Sequence, residues 1–195
     1  MTVPATPVRV LARDQLEMLL GAIPDGPYQS IDRALWTAGG FAGLRLGELL
    51  ELRWGCIDWI DQRIAAPGRF VPMHDRVGAA IDGLSDAREA HEQLVFRDPA
   101  SGNALDRRQI LLRLRAVCAR PGIPPPLTFD ELRTGFTVAC LQGGVSLAEL
   151  ACWLGVRLGA LEPFVAFAPS GDPAREVHRV FGELGGATAE GGRTL

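Results

Sequence analysis

Apolar residues recur along most of this chain at helical spacing and alternate in only one short region. Leu16, Leu19 and Leu20 fall on one face of a predicted helix over 13–22, which a Pro-Asp-Gly-Pro break then ends. A second helix is predicted over 29–38, with Gly39-Gly40 as its stop, and a third over the leucine-rich 46–53. Short strands are expected at 57–59, 63–66 and 70–71, the last two turning at Pro67-Gly68. Further helices are predicted over 76–84, 107–120, 128–141, 147–154, 160–167 and 173–184, with a short extended piece at 94–96. Thr128 followed by Glu131 reads as a capping box, and Ser146 as the cap of the next helix. The expected fold class is mostly α (α+β), a helical domain with a small antiparallel sheet. It fills residues 9–184, and 185–195 reads as a flexible tail.

Composition narrows the function. Apolar residues make up 47% of 195 residues, enough for a real core in one domain. No apolar run is long enough to span a bilayer, and residues 1–13 lack a basic start with an apolar block, so the expected place is the cytoplasm, without a membrane partner. Cys56, Cys118, Cys140 and Cys152 are widely spaced, and three fall in predicted helices among apolar neighbours. They read as small buried thiols rather than metal ligands or disulfides, and no metal or cofactor is expected. All 20 basic residues are arginine, which lowers the weight of any single one, and the net charge is −3. A protein gripping duplex DNA by its phosphates normally carries a basic surplus, so only a local patch would serve here.

The segment over 37–59, TAGGFAGLRLGELLELRWGCIDW, resembles the first conserved box of the tyrosine recombinases (phage integrases). It has a Gly-Leu-Arg, a Glu three residues after the Arg, a leucine-rich helix, then Arg-Trp and Ile-Asp. TFDELRTGF over 128–136 is similar to the family's second box, Thr-x-His-x-Leu-Arg-His-x-Phe. Gly143-Gly144, LAEL and Trp153-Leu154-Gly155 follow in the order of its Leu-Gly-His turn. Val71-Pro72-Met73 and Pro121-Gly122-Ile123 match its flanking features. The resemblance spans roughly 9–168, without the family's separate N-terminal DNA-clamping domain upstream.

The resemblance implies phosphoryl transfer through a covalent phosphotyrosine. Two arginines bind the non-bridging phosphate oxygens, a hairpin lysine and histidines move protons, and a tyrosine attacks phosphorus. Carried over, Arg45 matches the first arginine and Arg133 the second. Asp130 and Val156 stand where the family has histidines, and Phe164 or Val165 stands at the nucleophile position. Arg69 is the nearest cation to the missing hairpin lysine, and the only tyrosine, Tyr28, lies ahead of the first box. The phosphate clamp is present on paper; the nucleophile and proton carriers are not.

Each residue also has a plainer reading. Arg45 pairs with Glu48 at i,i+3, and Arg133 with Asp130 one turn before it. His74, His91 and His178 read as exposed polar residues. Arg107, Arg108, Arg113, Arg115 and Arg120 form either a solvated helix face or a nucleic-acid patch. Cys152 and Ser146 are poorly placed substitutes for the nucleophile, and VSLAELACWLGV matches the start of a helix-turn-helix already covered by the third box. The leading expectation is a degenerate member of the recombinase family that binds duplex DNA weakly and does not cut it. Three rivals stand beside it: an interaction protein for another recombinase or a second copy, a small-molecule enzyme using Asp130 or Glu131 as acid or base beside Arg45 and Arg133, and the product of a decaying gene.

Overall fold

Gly39 and Gly40 were expected to end the second helix, and they are instead where it packs most closely. A Cβ at Gly40 would stand 2.5 Å from Leu16 Cδ2, and one at Gly39 would stand 3.2 Å from Leu132 Cδ1. The computed structural model describes residues 10–84, 91–120 and 127–169. In it α1 covers Arg13–Gly21 and α2 covers Gln29–Phe41, running through both glycines. The stop comes at Gly43, whose φ of +62° is open to glycine, and a Cβ there would meet the Phe136 ring at 2.5 Å.

Helix α3 is Leu46–Leu50, shorter than its leucines suggested. Beyond it the backbone turns to a different partner: Val95 N donates to Leu52 O at 2.8 Å and Trp54 N to Gln93 O at 3.1 Å. The expected strand at 94–96 is therefore an isolated bridge from Leu94 to Arg53. A 3-10 turn over Trp54–Cys56 leads into a three-stranded antiparallel sheet of β1 Ile57–Asp58, β2 Arg63–Ala66 and β3 Arg69–Pro72. Ile57 pairs with Ile64, and Ile64 with Val71, which puts all three on the buried face. Helices α4 (Asp75–Asp82), α5 (Arg107–Cys118), α6 (Phe129–Gln142) and α7 (Leu147–Leu154) follow, then a 3-10 segment over Leu158–Phe167. The helix expected at 160–167 is thus 3-10, with Pro163 inside it. The expected helix over 173–184, the tail, Pro121-Gly122-Ile123 and His178 lie outside the described residues.

The fold is a mostly helical domain carrying a small antiparallel sheet. Helix α2 lies at its centre against α1, α4 and α6, with Leu35 and Trp36 fully buried. A second, smaller apolar cluster joins Leu141, Leu150, Leu154 and Leu161, and Val156 and Phe164 pack against it. Thiol burial is mixed: Cys118 is buried, Cys56 and Cys140 are half-buried, and Cys152 is exposed on the outer face of α7. All four are free. Burial pushes the Cys140 thiol up to about 11, so it stays protonated.

Candidate nucleic-acid interface

Arg45 is the N-cap residue of α3, in extended backbone at φ −75° and ψ 150°. Its amide donates to Glu48 Oε2 at 2.8 Å, so the side chain of Glu48 closes the helix start. The guanidinium is left half-exposed, with Nη1 4.0 Å from Glu48 Oε1.

Arg133 lies on α6 and takes different partners from those expected. Its Nη1 donates to Gly43 O at 2.6 Å and its Nη2 donates to Leu154 O. The carbonyl at Leu154 is one of those a helix leaves unpaired at its C-terminus, and Arg133 satisfies it while holding the loop before α3. Asp130 is exposed and reaches Arg133 only through space. Desolvation and then the neighbouring Arg45 cation bring the Arg133 pKa down to about 10, which leaves it charged at neutral pH. Two of the five guanidinium N–H donors are engaged by backbone carbonyls.

These side chains meet in one cleft of about 240 Å³, lined by Arg45, Asp130, Arg133, Thr134, Val156 and Phe164 among others. The resemblance thus assigns roles to positions far apart in sequence that the fold brings together. Of the two nucleophile positions, Phe164 lines the cleft, while Val165 is half-exposed and is not among the lining residues. Thr134, directly after Arg133, was not singled out in the sequence; its place after the arginine of the second box was the signal. Glu131 is not among the residues lining this cleft. Its carboxylate accepts from Thr128 N at 2.7 Å and completes the cap of α6. Ser146 likewise accepts from Glu149 N and caps α7.

Arg69, on β3, is nearly buried. Its Nε donates to Trp153 O at 2.7 Å, and its Nη2 lies 2.7 Å from Glu48 Oε1. It is among the lining residues of neither this cleft nor the one beside it.

A second cleft of about 500 Å³ shares Arg45 and Asp130 with the first and is also lined by Arg107, Arg115 and Thr128. The basic run over 107–120 is therefore divided. Arg113 donates to the buried Asp32 from Nε at 2.7 Å and from Nη2 at 2.8 Å, and its guanidinium stacks on the Tyr28 ring at 4.2 Å. Arg120 donates to Ala22 O. Arg107 and Arg115 are exposed along the second cleft. Tyr28 donates to Asp98 Oδ2 at 2.5 Å, a bond that holds the Asp98 carboxyl down to about 2. Tyr28 lines neither cleft. His74 and His91 are exposed, and His74 Nδ1 accepts from Arg76 N to cap α4. Among the described residues no group of three or more His, Cys, Asp or Glu is arranged to hold a metal ion.

The family model described as "Phage integrase family" matches residues 9–157. The chain belongs to the phage integrase family. Among curated proteins it is similar to Tyrosine recombinase XerC of Xanthomonas axonopodis pv. citri (strain 306), 28% identical over 153 residues, covering 75% of this chain and 50% of that one. Tyrosine recombinase XerC of Xanthomonas campestris pv. campestris (strain B100) is 28% identical over 153 residues, covering 75% and 47%. The chain thus spans about half the length of the curated relatives it matches. Among solved structures, XerA recombinase superposes with TM-score 0.71 at 20% identity, over 92% of this chain and 65% of that one. XerH site-specific recombinase bound to palindromic difH substrate superposes with TM-score 0.68 at 16% identity, over 90% and 53%. At these identities the superpositions speak for the phage integrase catalytic-domain fold.

Proposed function

We propose that this phage integrase family domain serves DNA recombination or integration as a binding element: it takes duplex DNA by its phosphates at the Arg45–Arg133 cleft and does not cleave it. The observation that carries this reading is Phe164. Its ring lines the same cleft as both arginines, at the position where the resemblance implies a nucleophile, and a phenyl ring has no hydroxyl to attack phosphorus. Asp130, Val156 and Thr134 occupy the places of proton carriers, and none is a base poised near neutrality by type. Arg107 and Arg115 extend the cationic edge through the second cleft. The action belongs in the compartment that holds the DNA, the cytoplasm. With a net charge of −3, few phosphates are neutralised, so binding is weak and falls with salt by a slope set by those few contacts. The small-molecule reading now rests on Asp130 alone, because Glu131 is engaged at the α6 cap.

The test is titration against duplex DNA at several salt concentrations. Arg45→Ala should leave stability within about 0.5 kcal/mol, since this side chain is half-exposed, and should lower the salt slope by about one. Tight binding that ignores salt would contradict the reading, as would a slope unchanged in Arg45→Ala.

A further inference from the structure

We propose that Arg69 is a positioning residue: it holds the Glu48 carboxylate away from Arg45 and so keeps the Arg45 guanidinium free for an anion. This inference rests on the reading that Arg45 takes a phosphate.

Glu48 lies between two cations. One carboxylate oxygen caps the Arg45 amide at 2.8 Å. The other lies 2.7 Å from Arg69 Nη2 and 4.0 Å from Arg45 Nη1. At i,i+3 in a helix start, Glu48 would by default pair with the Arg45 side chain. Burial decides against that. The Arg69 and Glu48 side chains are 10% and 13% exposed, whereas that of Arg45 is 50% exposed. The attraction between the buried pair is weakly screened by water and salt, and that between Glu48 and Arg45 is strongly screened. The Arg69–Glu48 contact is electrostatic: Nη2 makes no directed hydrogen bond despite the short distance.

Arg69 is fixed in this role from the other side. Its Nε donates to Trp153 O at 2.7 Å, tying β3 to the end of α7. Gly155, in the left-handed region at φ +60°, leaves the space the guanidinium needs, since a Cβ there would stand 2.9 Å from Nη1. A residue so enclosed, outside the lining of both clefts, acts on a bound anion through Glu48 and Arg45.

The test uses the full chain with duplex DNA, reading the salt slope and thermal unfolding together. Arg69→Leu should lower the slope by about one, as Arg45→Ala does, although Arg69 touches no phosphate. Combining Arg45→Ala with Arg69→Leu should lower it no further. Adding Glu48→Gln to Arg69→Leu should restore the slope, because glutamine can still accept from the Arg45 amide but carries no charge. Arg69→Lys guards against a leucine variant that does not fold; it keeps the cation and should keep the slope while melting lower. A merely structural Arg69 would shift unfolding alone, and an unchanged slope in folded Arg69→Leu, or a lost slope in folded Arg69→Lys, overturns the proposal. A ligand-free readout separates this from the binding reading: the ¹⁵N signal of Arg45 Nε–Hε should become protected from exchange in Arg69→Leu and return to the wild-type rate with Glu48→Gln. If the wild type binds no DNA, the binding reading fails, and Arg45 protection alone decides; unchanged protection in folded Arg69→Leu then counts against Arg69 as the positioning group.

Discussion

The two walls of the cleft are built by different rules. On one side Arg45, the N-cap of α3, and Arg133 of α6 line the cleft, Arg133 held by two backbone carbonyls and Arg45 half-exposed. On the other, the end of α7 and the 3-10 segment present Val156 and Phe164, which pack on Leu141, Leu150, Leu154 and Leu161. The first wall combines charge with framework. The second is continuous with a small core and offers no titrating group. In the reading proposed above, the wall that attracts phosphate is retained, and the wall that would supply chemistry serves packing.

The sharpest way to break the comparison is to show that arginines here are interchangeable, and Arg113 is the control. It is paired with Asp32, whose side chain is 4% exposed. Arg113→Leu leaves that carboxylate buried without its partner, at an expected cost of about 3–5 kcal/mol in chemical denaturation. DNA affinity, measured where the variant is still folded, should not change, because this arginine faces Tyr28 and Asp32 instead of the clefts. Equal stability in the variant would mean the pair contributes little.

Arg133 should combine both behaviours. Arg133→Leu removes charged hydrogen bonds to Gly43 O and Leu154 O, and stability should fall by about 2–4 kcal/mol. Lysine has a single terminal nitrogen and should recover only part of the loss. A variant that unfolds like wild type would show that the carbonyl contacts are incidental.

What the sequence made legible here was mostly local. Leu16, Leu19 and Leu20, the turn at Pro67-Gly68, and the caps at Thr128 and Ser146 are each set by neighbours within a few residues, and each forms as expected. Gly39 and Gly40 misled because a glycine pair reads as a stop unless the facing Leu16 and Leu132 are known. The third helix misled in the same way: Leu52 finds Val95, and no local signal announces that. In the cleft, box order identified Arg45, Arg133, Asp130, Val156 and Phe164 as one set. It could not choose between Phe164 and Val165, since a shift of one residue in a 3-10 segment turns a side chain by about a third of a turn. Nor could it show that Arg69 pairs with Glu48, a contact made only when β3 packs beside α3 and α7.

The smallest expected effect lies outside the cleft. Asp98 is held down to about 2 from its ordinary 3.8, first by the Tyr28 hydroxyl and then by Ser101. A carboxyl lowered on folding adds stability above its unfolded pKa and loses it as pH falls through the folded one. The gap in stability between wild type and Tyr28→Phe should therefore be flat between about pH 5 and about pH 9, below the ordinary tyrosine range, and close as pH falls toward 2. A gap that widened with acid would show that another group dominates. DNA binding should be the same in both proteins, since Tyr28 lines neither cleft.

Whether one wall binds DNA while the other does no chemistry can be read with a nicked suicide duplex. Wild-type protein and Phe164→Tyr are incubated with it at low salt and resolved under denaturing conditions. Neither should form a covalent protein–DNA adduct, because the ring lacks a hydroxyl in one and the family's histidines are replaced in both. An adduct from wild type that survives denaturation would contradict it, and loss of that adduct in Tyr28→Phe would identify the attacking group.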